Sequence, residues 1–303
     1  MMETTLPKLP SMGPLLIKAG LRRLGRPEQE IALPELKVSV SGVTLETDKL
    51  DKYRQLTRLG NLNASVPPAY LQVLATPLHT WLLGQEEFPL PALGLVHLEN
   101  RIESYRSVQP DETLTIEVTL GEGRWKEGLG QIFDIHTEIF SGEEKVWSGV
   151  LTALAPGKRK KKKGEKKKSA ASTEEETQKP LFSVAERLPG DLGRNYASIG
   201  GDYNPIHLHP LLSKPFGFSR PIIHGMWTLG RCWSELVRYC PDESEHFVLT
   251  TRFKKPLFLP STAAFEGYEE GISDEGEKGL SYKVYEPRTR KTYLEGTLKF
   301  PSR

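Results

Sequence analysis

The sequence contains little cysteine and no long apolar segment. Its two cysteines, Cys232 and Cys240, lie eight residues apart in a stretch with helical spacing. Two helical turns separate their Cα atoms by about 12 Å, whereas a disulfide spans under about 7 Å. We therefore expect two reduced thiols that behave as small apolar side chains. No apolar run is long enough to cross a bilayer, and the N-terminus lacks the apolar core of a signal peptide. These absences predict a cytoplasmic protein without a transmembrane segment.

The usual signatures of metal and nucleotide sites are also missing. No spacing of His, Cys, Asp and Glu matches a zinc site, and no glycine-rich loop is followed by Lys-Ser or Lys-Thr. The sequence therefore predicts no metal and no redox cofactor. The net charge of +2 conceals a segregation, because residues 158–168 carry a local charge of +8 and the rest of the chain carries −6. This distribution argues against a specific nucleic-acid-binding protein.

The composition that is present describes a globular protein with room for two domains. Of 303 residues, 37% are apolar and 26% are charged. We predict a basic N-terminal segment (1–30), a first domain (31–156), a lysine-rich linker (157–180) and a second domain (181–303). The N-terminal segment forms a short helix that docks either on an anionic membrane or on the protein's own surface. The linker is predicted to be disordered; its lysines could act as a solvated hinge, attract phosphate-bearing ligands or an acidic carrier protein, or contact nucleic acid or membrane.

Both domains are predicted to share one α+β fold. Apolar periodicity indicates strands at 36–45, 95–102, 113–120, 131–139 and 145–153, a helical passage at 48–62 and a buried helix at 69–83. After residue 223 the same order returns as a helix and strands at 246–254, 262–269, 280–285 and 292–300. Val96-x-Leu98-x-x-Arg101-Ile102 is also similar to Phe247-x-Leu249-x-x-Arg252-Phe253, roughly 150 residues later. A helix followed by antiparallel strands, present twice, predicts two copies of one architecture.

Candidate chemistry is concentrated between residues 196 and 233. Gly200, Gly201 and Pro205 disfavour regular structure, so Asp202 and His207 should lie in an irregular segment. A carboxylate and an imidazole can hold one water molecule and move protons to and from it. Gly225 precedes apolar residues at helical spacing, and the free N–H groups at a helix N-terminus can bind an oxyanion.

These residues resemble a known family. Gly201-Asp202-Tyr203-Asn204-Pro205-Ile206-His207 and Arg220-Pro221-Ile222-Ile223-His224-Gly225-Met226 are similar to the motifs of MaoC-like, R-specific (type 2) enoyl-CoA hydratases and 3-hydroxyacyl thioester dehydratases. The resemblance covers roughly the C-terminal 120 residues. It implies a hotdog fold, in which an antiparallel sheet wraps a central helix, and a tandem of hotdogs that imitates a dimer of single domains. This sequence has Pro215 where the family usually has alanine, which bears on the shape of the substrate mouth.

The resemblance also implies roles for individual residues. Asp202 and His207 would be the catalytic pair, and the Gly225 amide would polarise the carbonyl of an acyl-CoA or acyl-carrier-protein thioester. Asn204, His224 and Met226 are assigned to the substrate site, with Asn204 also holding the loop and His224 packing at the helix start. The stretch 61–68 before the first helix carries neither motif, so the first domain is expected to be non-catalytic. A long acyl chain could then run between the two helices from a single active site.

The leading interpretation is therefore reversible hydration of trans-2-enoyl thioesters and dehydration of (R)-3-hydroxyacyl thioesters. One alternative is a hotdog thioesterase, in which water attacks C1. Another is a module that binds thioesters or docks a carrier without turnover. Acyl length, the choice between CoA and carrier protein, and further pairing of the tandem stay open.

Overall fold

A single sheet forms the frame of the molecule. The computed structural model describes residues 2–22, 25–60, 62, 64–158, 178–240, 245–270 and 278–301, so most of the predicted linker, with its lysine run, lies outside the described residues. Eleven strands form within these ranges: β1 (Met2–Leu6), β2 (Leu36–Val43), β3 (Val96–Ser104), β4 (Leu114–Lys126), β5 (Gly130–Ser141), β6 (Glu144–Pro156), β7 (Phe182–Leu188), β8 (Phe247–Phe253), β9 (Ser261–Glu270), β10 (Lys278–Tyr285) and β11 (Thr292–Phe300). They pair in the order β1-β2-β4-β5-β6-β3-β8-β11-β10-β9-β7.

The two halves of the sheet have the same strand order. The first half runs β2-β4-β5-β6-β3, and the second, read from its outer edge, runs β7-β9-β10-β11-β8. The pairs within each half are antiparallel, and buried residues alternate along β2 and β4 because one face covers the core. The predicted α+β tandem is confirmed.

The halves join edge to edge through β3 and β8. These strands carry the two similar motifs found in the sequence, and they pair antiparallel. Asn100 pairs directly with Thr251, and the motif alignment makes these two positions equivalent. A strand pair in which equivalent residues face each other places a pseudo-twofold axis at that point. The fused chain therefore has the internal symmetry of a dimer.

Seven α-helices form in the described part of the chain. They are α1 (Met12–Leu21), α2 (Thr47–Leu56), α3 (Pro68–Leu74), α4 (Thr76–Leu83), α5 (Leu192–Gly200), α6 (Pro210–Ser213) and α7 (Gly225–Leu236). The single helix predicted at 69–83 is wrong, because it breaks at Ala75 into α3 and α4. Pro77 lies in the first turn of α4 and lacks the N–H that a continuous helix would need there. Helix α3 packs beside α7, so the central helices of the two halves are neighbours.

The N-terminal segment docks on the protein itself. Helix α1 packs against α4, and Leu15 is buried at 9% exposure. The strand β1 pairs parallel with β2, which the sequence did not predict. The sequence left open whether this segment docks on a membrane or on the protein. In the structure it packs on the protein's own surface. None of the described helices is long and apolar enough to cross a membrane. Both cysteines are free thiols.

Candidate active site

The loop that carries the candidate acid and base begins at the end of α5. The sequence predicted irregular structure from Gly200, but Gly200 is the last residue of α5 and the chain turns at Gly201, whose φ of +71° suits glycine. A Cβ at Gly201 would also lie 2.8 Å from Met12 Cγ. The Asn204 amide donates to Asp202 Oδ1 over 3.1 Å, and the Ile206 amide donates to Asn204 Oδ1 over 3.4 Å. Asn204 therefore holds the loop while also lining the cavity beside it.

Asp202 and His207 lie close together and face each other. Asp202 Oδ2 is 3.9 Å from His207 Nε2. His207 is 7% exposed, and its Nδ1 donates to the Ile222 carbonyl over 2.8 Å. A neutral ring that donates from Nδ1 has its lone pair on Nε2, so the nitrogen facing Asp202 is a proton acceptor.

The surroundings favour a neutral imidazole and an ionised carboxylate. Burial lowers the pKa of His207 below its ordinary value, and the nearby charge of Asp202 only partly opposes this effect. Burial would raise the pKa of Asp202, but the two neighbouring imidazoles and the Asn204 amide outweigh it, so that pKa is lowered. At neutral pH both groups are therefore in the form that accepts hydrogen bonds from water.

His224 supports this pair. Its ring stacks on the His207 ring with centroids 3.7 Å apart, and its Nε2 donates to the main-chain carbonyl of Asp202 over 2.9 Å. Burial, with the neighbouring His207, lowers the pKa of His224 to about 3. Because the neutral His224 ring bonds to the main chain of Asp202, it positions the Asp202 carboxylate.

Gly225 begins α7 beside the pair, and no side chain caps that helix end. The first N–H groups of a helix lack intrahelical partners and can bind developing negative charge. A Cβ at Gly225 would lie 2.6 Å from the Phe253 ring, so only glycine lets β8 approach this helix end. Met226, the next residue, lines the cavity.

All six predicted site residues line one cavity of about 340 Å³. Its wall comes from the α5–α7 segment, from β8 and the turn after it, from β11, and from the first half of the chain. Lys254 and Lys255 lie on this wall; Lys254 pairs with Glu295 over 2.5 Å. Pro215 lies in a 3₁₀ turn, Lys214–Phe216, and does not line the cavity.

The sequence missed His97, which the first half contributes to the cavity. Its ring packs on Phe253 with centroids 4.6 Å apart, and its Nε2 donates to the Glu99 carbonyl over 3.0 Å. Burial lowers its pKa to about 4, despite the attraction of Asp202. Nothing local in the strand sequence around His97 distinguishes it, because its position depends on the pairing of β3 with β8.

A second cavity of about 180 Å³ continues from the first into the N-terminal half. Six residues line both cavities: Thr76, Leu95, His97, Asp202, Asn204 and Met226. The first half therefore contributes walls to the site of the second half. In the candidate loop before α3, Asn61 and Asn63 lie outside the described residues, and the residues described there include no carboxylate or imidazole.

The site also has the donor set of a cation site. The ligand atoms of Asp202, His207 and His224 lie within 4.8 Å of one another. His224 Nε2 and His207 Nδ1 are bonded to main-chain carbonyls, and His224 Nδ1 is buried without a hydrogen-bond partner in the described residues. Among the open ligand atoms, the Asp202 carboxylate and His207 Nε2 face each other. These two acceptors can hold a water molecule without a metal.

Known proteins resemble the chain over both halves. The sequence model of the MaoC like domain matches residues 160–290, and that of the FAS1-like, dehydratase domain region matches residues 53–147. The 3-hydroxyacyl-thioester dehydratase X of Mycobacterium tuberculosis is 31% identical over 233 residues, which cover 76% of this chain and 79% of that protein. The peroxisomal enoyl-CoA hydratase 2 of Arabidopsis thaliana is 28% identical over 248 residues, 75% of this chain and 77% of the relative. A crystal structure of HtdX from M. tuberculosis superimposes with a TM-score of 0.70 and 27% identity, covering 86% of this chain and 98% of that one.

Proposed function

Since this chain belongs to the family of MaoC-like dehydratases, we propose that it adds water reversibly to trans-2-enoyl thioesters and dehydrates (R)-3-hydroxyacyl thioesters. The observation that supports this most directly is the separation of 3.9 Å between Asp202 Oδ2 and His207 Nε2. A water molecule that donates one hydrogen bond of about 2.8 Å to each acceptor fits between atoms at that separation. The pair and the start of α7 line the same cavity.

Hydration needs three functions, and the site has a group for each. As the water oxygen bonds to C3, one proton passes from the water to the Asp202–His207 pair. The electrons of the double bond move towards the thioester oxygen, where the Gly225 amide stabilises the negative charge. The pair then returns the proton to C2, so that H and OH are both added. Because one pair handles both events, both additions occur on the same face of the double bond. The R configuration of the product is the one that the family resemblance implies.

We call the first cavity, which Asp202 and His207 line, the catalytic cavity, and the second the inner cavity. The inner cavity is the natural place for the distal acyl chain. It begins at the residues shared with the catalytic cavity and extends among core side chains of the first half. An acyl chain that leaves C3 in this direction buries apolar surface at about 25 cal/mol per Å². The first half would then act as the acyl-binding half of a single site.

The anionic part of the thioester would lie at the other end, near Lys255. Lys255 lines the cavity and forms no salt bridge with a carboxylate among the described residues. Both CoA and the phosphopantetheine arm of a carrier protein are phosphate esters that a lysine attracts. An experiment must decide between CoA and carrier-protein thioesters.

The test is a hydration assay over a series of trans-2-enoyl-CoA lengths. Loss of ultraviolet absorbance of the conjugated thioester, with the 3-hydroxyacyl product in the R configuration, supports the proposal. Release of free thiol without hydration would indicate a thioesterase instead. Tight binding without any change in absorbance would indicate a module that only binds thioesters.

A further inference from the structure

One face of the inner cavity is polar. The greater part of its wall is apolar, formed by leucine, isoleucine and alanine side chains of the first half. The face formed by α3 and α4 differs, because every residue that it contributes except Leu83 is polar: Gln72, Thr76, His79 and Thr80. Gln72 is 1% exposed and His79 is 6% exposed. Polar groups inside an apolar cavity are costly to desolvate unless something bonds to them.

The spacing of these residues is that of a single helical face. Positions 72, 76, 79 and 80 are separated by four, three and one residues. Only Ala75, in the αR conformation, lies between α3 and α4, so this spacing places the four side chains along one side of the two consecutive helices. Central helices normally present apolar side chains on their buried faces. The pattern is therefore a polar stripe directed at the cavity where an acyl chain would lie.

The hydrogen-bond partners of His79 leave one ring nitrogen available. Thr137 Oγ1 lies 2.8 Å from His79 Nε2, and Gln72 Nε2 lies 3.5 Å from the same nitrogen. Nδ1 makes no hydrogen bond to the part of the chain that the structure describes. Burial lowers the pKa of His79 to about 3, so the ring is neutral and Nδ1 is either a donor or an acceptor, depending on the tautomer.

The threonines add acceptor capacity to the same stripe. The Thr80 hydroxyl donates to the Thr76 carbonyl over 2.9 Å, which leaves the lone pairs of its oxygen unused by that bond. An acyl methylene passing this stripe would leave His79 Nδ1 and the free lone pairs of the Thr80 oxygen without a partner. A group that can both donate and accept would bond to the stripe whichever tautomer His79 adopts.

We propose that three residues of this stripe, Thr76, His79 and Thr80, bind a hydroxyl group on the acyl chain of the substrate. The natural substrate would thus be a hydroxylated enoyl thioester, with its alcohol beyond the reacting double bond. A hydroxyl suits both tautomers of His79, whereas a ketone or an ether suits only the tautomer with a proton on Nδ1. This inference rests on the proposed hydratase function, because the chain must enter from the catalytic cavity through the residues that both cavities share.

The experiment compares matched substrates on the full chain. Trans-2-enoyl-CoA thioesters of six to twelve carbons are assayed beside their ω-hydroxy counterparts of equal length, and kcat/KM is measured for each. One well-placed hydrogen bond corresponds to a preference of about fivefold to tenfold. We expect the hydroxylated member to be favoured by that factor at one chain length, where the alcohol reaches the stripe.

Two variants test whether the stripe causes the preference. His79→Phe removes both ring nitrogens at similar volume, and Thr76→Val with Thr80→Val removes the hydroxyls isosterically. Each should reduce the ratio of hydroxylated to plain substrate to about one. If His79→Phe fails to fold, as judged by thermal melting, the double threonine variant decides. Thr115→Val makes the same chemical change outside the cavity, at a threonine that bonds to Ser41, and should retain the wild-type ratio.

The results separate this inference from the function on which it rests. Hydration of plain enoyl-CoA without a hydroxyl preference at any length overturns the inference and leaves the hydratase function intact. A preference that survives in both variants overturns it as well, because another surface must then bind the alcohol. If no enoyl-CoA is hydrated, both proposals fall.

Discussion

Replacing Asp202 by asparagine tests the catalytic pair with little change in shape. In the wild-type protein the main-chain amide of Asn204 donates to Asp202 Oδ1 over 3.1 Å. Asparagine keeps an oxygen that can accept this hydrogen bond, so the loop should retain its turn. What is lost is the negative charge 3.9 Å from His207 Nε2. When His207 takes a proton from water, that charge stabilises the imidazolium. At an effective dielectric constant of about 20, two unit charges at this distance attract by about 4 kcal/mol, or roughly a thousandfold in rate.

The Asp202 side chain is 44% exposed in the free protein, so solvent screens part of this attraction. We therefore expect kcat for crotonyl-CoA hydration to fall about 10²-fold to 10³-fold, with KM changed by less than about threefold. The assay is the loss of enoyl absorbance, with circular dichroism to verify folding. Asp191→Asn, at an exposed carboxylate near the start of α5, is the matched control and should retain full activity. A folded Asp202→Asn enzyme within about fivefold of the wild-type rate would refute the reasoning.

Three further predictions concern the same site. His207→Ala should lose at least about 10²-fold in kcat while melting within a few degrees of wild type, and a normal rate would remove His207 from the chemistry. Gly225→Ala should lower kcat/KM about tenfold or more because its Cβ would lie 2.6 Å from the Phe253 ring, and Phe253→Leu in the same chain should restore part of the loss. Since the pKa of both Asp202 and His207 is lowered, the active forms persist as pH falls, so kcat/KM should stay level through pH 6.5 and decline only below it. Half the activity lost near 6.5 would show that His207 titrates as an ordinary imidazole.

Local apolar periodicity was sufficient to predict most strands of the sheet. The strands that became β2–β6 and β8–β11 were predicted within a few residues, apart from the longer C-terminal end of β4. By contrast β1, β7 and α5 were missed. Strand β1 is short, and its apolar and polar residues alternate only weakly. Its partner strand β2 lies more than thirty residues away in sequence. Helix α5 contains two glycines and two serine or asparagine residues, which lower its intrinsic propensity, so its packing stabilises it.

The site could be predicted only where its residues share one segment. Asp202, Asn204, His207, His224, Gly225 and Met226 were all found because motif spacing brings them together. His97 and the stripe on α3–α4 reach the same cavities through the pairing of β3 with β8 and the packing of α3 beside α7. Such long-range contacts leave no pattern in a local stretch of sequence. The six residues proposed for the site were thus visible in the sequence, whereas His97 and the stripe on α3–α4 were not.

The pairing of β3 with β8, in which Asn100 faces Thr251, also bears on how the sequences of the two halves can diverge. In a homodimer every substitution appears in both subunits. A change that reshapes the binding cavity in one subunit therefore also occurs beside the reacting groups of the other. Covalent fusion lifts this restriction, since each half mutates alone. Each half of this chain can therefore change without a matching change in the other.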